Sequence, residues 1–193
     1  MGAPVKSTIV GLLTLVAWPG GADAQTGPCL AIPPATPIVY VGEFTNMRHT
    51  VEHSYGFEVT LWRAGDCLIG VLASAGGLSG DTPVGVIQDV KYDQASGRLS
   101  FAAKLTTGVT SQRGSTTWEP SRDFYTFDGR VSATALTGVV THEQRNHPHI
   151  APAKTDVTLS VSKSDMIVAR TASSYGQWQQ EWKPILAARG PKW

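Results

Sequence analysis

Between residues 37 and 162, apolar and polar side chains take turns along short segments separated by turn residues, and that rhythm constrains the fold more than any other feature. Tyr55, Phe57, Val59 and Leu61 alternate with Gly56, Glu58, Thr60 and Trp62. Successive side chains of an extended strand point to opposite faces, so the pattern predicts a strand with one dry and one wet face. Ala64-Gly65-Asp66 turns the chain into residues 67–73, which completes a hairpin. Val84, Val86, Val90 and Tyr92 share a face interrupted by Gln88, and residues 93–97 make the next turn. Leu99, Phe101, Ala103 and Leu105 return opposite them. Residues 123–128 and 130–135 are strand-like around Asp128-Gly129, residues 136–138 turn into residues 139–142, and Val157, Leu159 and Val161 give a last alternation. Residues 76–83 and 106–121 read as loops.

About eight such segments, nearly all joined to their sequence neighbours by short turns, predict an all-β, antiparallel up-and-down meander. Closure into a small barrel removes the exposed edges that invite aggregation, so a barrel is expected in preference to an open sandwich. No repeat unit recurs. The C-terminal stretch differs. Ser174 with Gln177 three residues on forms a capping box, and Trp178, Trp182 and Ile185 fall on one helical face. Pro184 is expected to kink that helix or start a second one, and Gly190 to stop it. A stripe with two tryptophans needs a surface, and the outside or one end of the barrel is the expected one.

The N-terminus adds a compartment. Lys6 precedes an apolar run over residues 7–18, and Ala22-Asp23-Ala24 supplies a small-x-small cleavage site. This is the layout of a signal peptide over residues 1–24. The run is too short to span a bilayer, which takes ~20 residues, and no later stretch is long enough. The expected organisation is a signal peptide (1–24), an extended proline-rich leader (25–36), a barrel (37–165) and a helical segment packed on it (166–193). The mature chain is expected to be exported, periplasmic or secreted. The whole chain carries 16 basic and 15 acidic residues, so no charge excess directs it to nucleic acid. In an oxidising compartment the two cysteines, Cys29 and Cys67, are expected to form a disulfide that pins the leader to the barrel.

The hairpin from Gly56-Phe57-Glu58-Val59-Thr60-Leu61-Trp62 into Leu68-Ile69-Gly70-Val71-Leu72 resembles the calycin-type small barrels of lipocalins and related exported proteins. Tyr92-Asp93 to Gly97-Arg98-Leu99-Ser100-Phe101, the turn rhythm of Phe127-Asp128-Gly129 and Leu136-Thr137-Gly138, and the terminal helix share the resemblance. The Gly-x-Trp usual near the first lipocalin strand is absent: Val41-Gly42-Glu43-Phe44 has the glycine alone. The resemblance implies the barrel and a habit of binding small molecules. It carries over no ligand-contacting residue.

The expected function is therefore non-enzymatic binding of a small apolar molecule in the barrel's interior or open end. Phe57, Tyr92 and Trp118 are the aromatic side chains expected to meet it. A metal-binding or hydrolytic site is the alternative, carried by His142, His147 and His149 in the densest cluster of potential ligands. Its spacing matches no H-E-x-x-H pattern, Pro148 separates two of the histidines, and His49 and His53 are remote in sequence. The carboxylates Glu43, Glu52, Glu58, Asp89, Glu119 and Asp123 form no recognisable pair. Glu58 and Asp89 alternate with core residues and are expected on the wet face. Gly77-Leu78-Ser79-Gly80 falls one residue short of a nucleophile elbow. Nothing in the sequence calls for a cofactor. A third class, a cell-envelope structural or interaction protein, would use an exposed face or the tryptophan helix.

Overall fold

The computed structural model describes Cys29 and residues 31–78, 82–111, 116–162 and 172–193. The expected signal peptide, residues 1–24, lies outside them. In chain order the elements are β1 (Ile38–Thr45), β2 (Arg48–His49), β3 (His53–Ala64), β4 (Cys67–Leu78), β5 (Val84–Asp93), β6 (Arg98–Leu105), β7 (Val109–Thr110), β8 (Glu119–Pro120), β9 (Asp123–Val131), β10 (Ala135–Gln144), β11 (Ala153–Val161) and α1 (Tyr175–Arg189). β3, β4, β5, β6, β9, β10 and β11 pair antiparallel in that order. β1 closes the ring by pairing with β3 on one side and β11 on the other. The result is the closed eight-stranded up-and-down barrel that the alternation predicts. β2 adds a short pairing to the far half of β3, and β7 and β8 form a separate ribbon within the β6–β9 connection.

The two ends of the barrel differ. Tight turns at residues 65–66, 94–97 and 132–134 cluster at one end. Gly65 and Gly97 take φ of +60° and +69° there, and a Cβ on Gly97 would sit 2.6 Å from the Val131 carbonyl oxygen. The longer connections, residues 46–52, 106–122 and 145–152, gather at the other end, here called the mouth.

An eight-stranded barrel is just wide enough for side chains to fill it, and this one is filled. Phe44, Leu61, Leu72, Leu99, Leu105, Leu136 and Leu159 are all at most 2% exposed. Gly129 and Gly138 face each other across β9 and β10, and the Phe127 ring occupies the space their missing side chains leave. The expected ligand chamber in the interior is therefore corrected: the middle of the barrel is a packed core.

Three local expectations also change. β9 runs straight through Asp128-Gly129, and the turn falls at residues 132–134. β4 continues to Leu78, which shortens the loop expected over residues 76–83. In β5 a bulge between Gln88 and Lys91, with Asp89 at φ +53°, inserts an extra residue and flips the parity. Ile87, Val90 and Tyr92 consequently join the interior, while Val84 belongs to a second cluster outside the barrel.

That second cluster is where α1 docks. On β3 the outward residues Trp62 and Ala64, and on β4 Ile69, Val71 and Ala73, are buried against Trp178 and Trp182 of the helix. Trp62 is 0% exposed, and its ring meets Trp178 and Trp182 edge-on at 5.9 and 6.0 Å. Among the described residues the indole N–H groups of all three have no hydrogen-bond partner. Edge-to-face packing is the arrangement in which such donors can face a neighbouring π cloud. Ser174 caps the helix by accepting from the Gln177 N–H, and Gln177 Oε1 accepts in return from Ser173 N–H, one residue before the expected partner. α1 passes through Pro184 as one helix to Arg189.

The leader holds the helix start. Cys29 is bonded to Cys67, as the compartment argument predicts. Pro34 and Thr36 carbonyls accept from the Gly176 and Tyr175 N–H groups. A Cβ on Gly176 would lie 3.0 Å from Pro34 Cβ, so a glycine lets the two segments approach.

Candidate functional site

Two regions bring polar groups together: the barrel mouth and a groove under α1. At the mouth, inward parity on β9 and β10 brings Asp123, Tyr125 and His142 together. Asp123 is fully buried. One carboxylate oxygen accepts from His142 Nε2 at 2.8 Å, and the other accepts from the Ser121 hydroxyl and from the Thr107 N–H and hydroxyl. Burial alone would raise its pKa, but the hydrogen bonds from His142, Ser121 and Thr107 outweigh it and hold the carboxyl at about 2. An ionised Asp123 fixes His142 with its proton on Nε2. The imidazole stacks on Tyr125, ring centroids 4.4 Å apart and nearly parallel. Burial, opposed by a hydrogen bond with Ser74 and helped by the Asp123 charge, pushes the Tyr125 hydroxyl up to about 12. Among the described residues no serine, threonine or cysteine group hydrogen-bonds the other His142 nitrogen. The cluster ties the 106–122 connection to the barrel rim; it does not assemble a nucleophile with a base.

The expected site residues scatter. Phe57 stands at this mouth, edge-to-face with Tyr125 at 6.2 Å. Tyr92 lies next to the 94–97 turn at the opposite end, partly buried against the core. Trp118 is 67% exposed on the segment before β8. Of the three histidines, His142 turns inward to Asp123, whereas His147 Nε2 hydrogen-bonds the Thr110 hydroxyl at 2.6 Å and meets His149 edge-on. Among the described residues no three His, Cys, Asp or Glu side chains are grouped to hold a metal.

The groove lies on the outer wall, between the C-terminal half of α1 and strands β3, β4 and β5. It has a volume of about 350 Å3. Val71, Ala73, Val84, Met47, Trp182 and Ile185 supply apolar walls, and Glu58, His49, Thr82 and Arg189 supply the polar groups. Each position follows from strand parity. Glu58 shares the outward face of β3 with Trp62, and Val71 and Ala73 share the outward face of β4 with Ile69. The expectation that Glu58 is a solvated strand residue is thus corrected. It does point outward, but the helix partly covers it. Burial pushes its carboxyl above the usual range, the nearby Glu43 charge adds to that, and Arg189 opposes it. Among the described residues Glu58 has neither a hydrogen bond nor an ion pair. Arg189, in the last turn of α1, donates from Nε to the Thr82 carbonyl at 2.7 Å and likewise has no ion pair there.

Sequence reasoning passed over this site because it looked inside the barrel. The pointer was residues 68–74, Leu-Ile-Gly-Val-Leu-Ala-Ser, which do not alternate. A strand apolar on both faces is one covered on both faces. Comparison of the chain with protein-family models, curated proteins and solved structures finds no match.

Proposed function

We propose that this chain is an exported protein that binds a small, mainly apolar molecule, and that the molecule sits outside the barrel, in the groove roofed by α1. One observation carries the reading: a half-enclosed space of about 350 Å3 with apolar walls and four polar residues, beside a barrel whose described interior residues are closely packed. Small-molecule sites are concave, mostly apolar and marked by a few placed polar groups, with volumes from ~300 Å3 upward. The Cys29–Cys67 bond and the signal-like N-terminus support export. Among the described residues no helix is long and apolar enough to cross a membrane.

The test is a titration of the mature protein with straight-chain alcohols from butanol to octanol, followed by tryptophan fluorescence, since Trp182 lines the groove. Each added CH2 buried is worth ~0.8 kcal/mol, so affinity should rise roughly fourfold per carbon until the groove is full. Ala73→Phe and Val84→Phe, which fill the groove from two strands, should each abolish the response while leaving the barrel's circular dichroism intact. Saturable binding that survives both substitutions, or no binding by any alcohol, would remove the proposal.

A further inference from the structure

We propose that the molecule bound in this groove carries a protonated amine on an apolar body, and that the Glu58 carboxylate takes the ammonium group. The inference rests on the groove reading above and goes further by naming the head group.

Glu58 stands in an apolar wall with no hydrogen-bond or ion-pair partner among the described residues, although it is only partly exposed. A carboxylate removed from water without a partner is costly, and a cation delivered by the ligand offsets that cost. The groups that face it decide the sign of the ligand's charge. Glu43 is close enough to act on Glu58 electrostatically, and so is Arg189. His49 is exposed at the edge of the groove. Of the charged groups that line the groove itself, Glu58 is the carboxylate and Arg189 the guanidinium. Burial sharpens the difference. Arg189 is an exposed residue whose Nε is already donated to Thr82, and water screens its charge. Glu58 is the less exposed of the two, and its field is screened less. Trp182 contributes its ring to the same lining, and an indole face is the best aromatic partner for an ammonium group. An anionic head would meet the Glu58 carboxylate. A neutral head would leave Glu58 as it is.

Octylammonium, octanol and octanoate share one apolar body and differ in charge, so fluorescence titration of the mature protein with all three at neutral pH reads the head group alone. Octylammonium is expected to bind about tenfold or more tighter than octanol, the scale of a charge-assisted hydrogen bond. Glu58→Gln is expected to bring the two ligands level, with a circular dichroism spectrum matching that of the unaltered protein showing that the variant is folded. Octanol and octylammonium binding equally to the unaltered protein would overturn the head-group inference and leave the groove reading intact. Octanoate binding tightest, with the advantage lost in Arg189→Gln, would overturn it in favour of an anionic ligand. No binding by any of the three would remove the groove reading itself.

Discussion

Asp123 is the group whose contribution to stability follows most directly from its surroundings. Its carboxyl is fully buried at the barrel mouth and accepts from His142, Ser121 and Thr107, which brings its pKa from 3.8 to about 2. A pKa depressed in the folded state means that the ionised form is favoured by folding. The contribution is therefore complete above the unfolded value near 4 and lost as pH falls through about 2. A shift of that size corresponds to about 2 kcal/mol. Urea unfolding, followed by circular dichroism at pH 7, 4 and 2.5, should show the unaltered protein losing most of that amount between the last two points, beyond what other carboxylates contribute. Asp123→Asn should be less stable at pH 7 by roughly 2–3 kcal/mol, since charge-assisted bonds become neutral ones and one amide donor meets hydroxyl and N–H donors. Its stability should fall less steeply with acid, so the gap between the two proteins narrows toward pH 2.5. Parallel losses down to pH 2.5 would mean that Asp123 is not held ionised by these partners, and the account of the mouth would be wrong.

Trp62→Ala should cost about 3–5 kcal/mol in the same assay, because it empties the centre of the cluster that joins α1 to the barrel wall. Replacing Cys29 and Cys67 together by serine should cost about 2–5 kcal/mol and lower the melting temperature. It should also weaken octanol binding, because the leader it frees holds the start of α1 through Pro34 and Thr36. Tyr125→Phe should remove a phenolate absorbance step near pH 12. With its folded pKa raised, neutral Tyr125 favours the fold up to about pH 10, and that contribution is lost as pH rises toward 12.

The barrel was legible because most of its strands wet one face, and the helix because Trp178, Trp182 and Ile185 mark one stripe. What escaped depends on contacts distant in sequence. The β5 parity flips at Asp89, an aspartate in left-handed backbone, and only the polar pair Gln88-Asp89 breaks the pattern there. Asp128-Gly129 reads as a turn locally, yet Gly129 is demanded mid-strand by its approach to Gly138 and the Phe127 ring. His142 looked like one member of a histidine cluster, but it is an inward residue near the end of a strand, and its partner Asp123 comes from the neighbouring one. The groove was hinted at by the unbroken apolar run in β4. Naming its polar groups required knowing that α1 lies over Glu58.

Methyl-resolved NMR of the protein lacking residues 1–24, with octanol, tests the central claim most directly. Saturable shifts on Val71, Val84, Ile185 and Ala73, with the interior methyls of Leu72, Leu105 and Val140 unmoved, are the expected result. Shifts confined to those interior methyls, or none at all, would contradict a binding site on the outer wall.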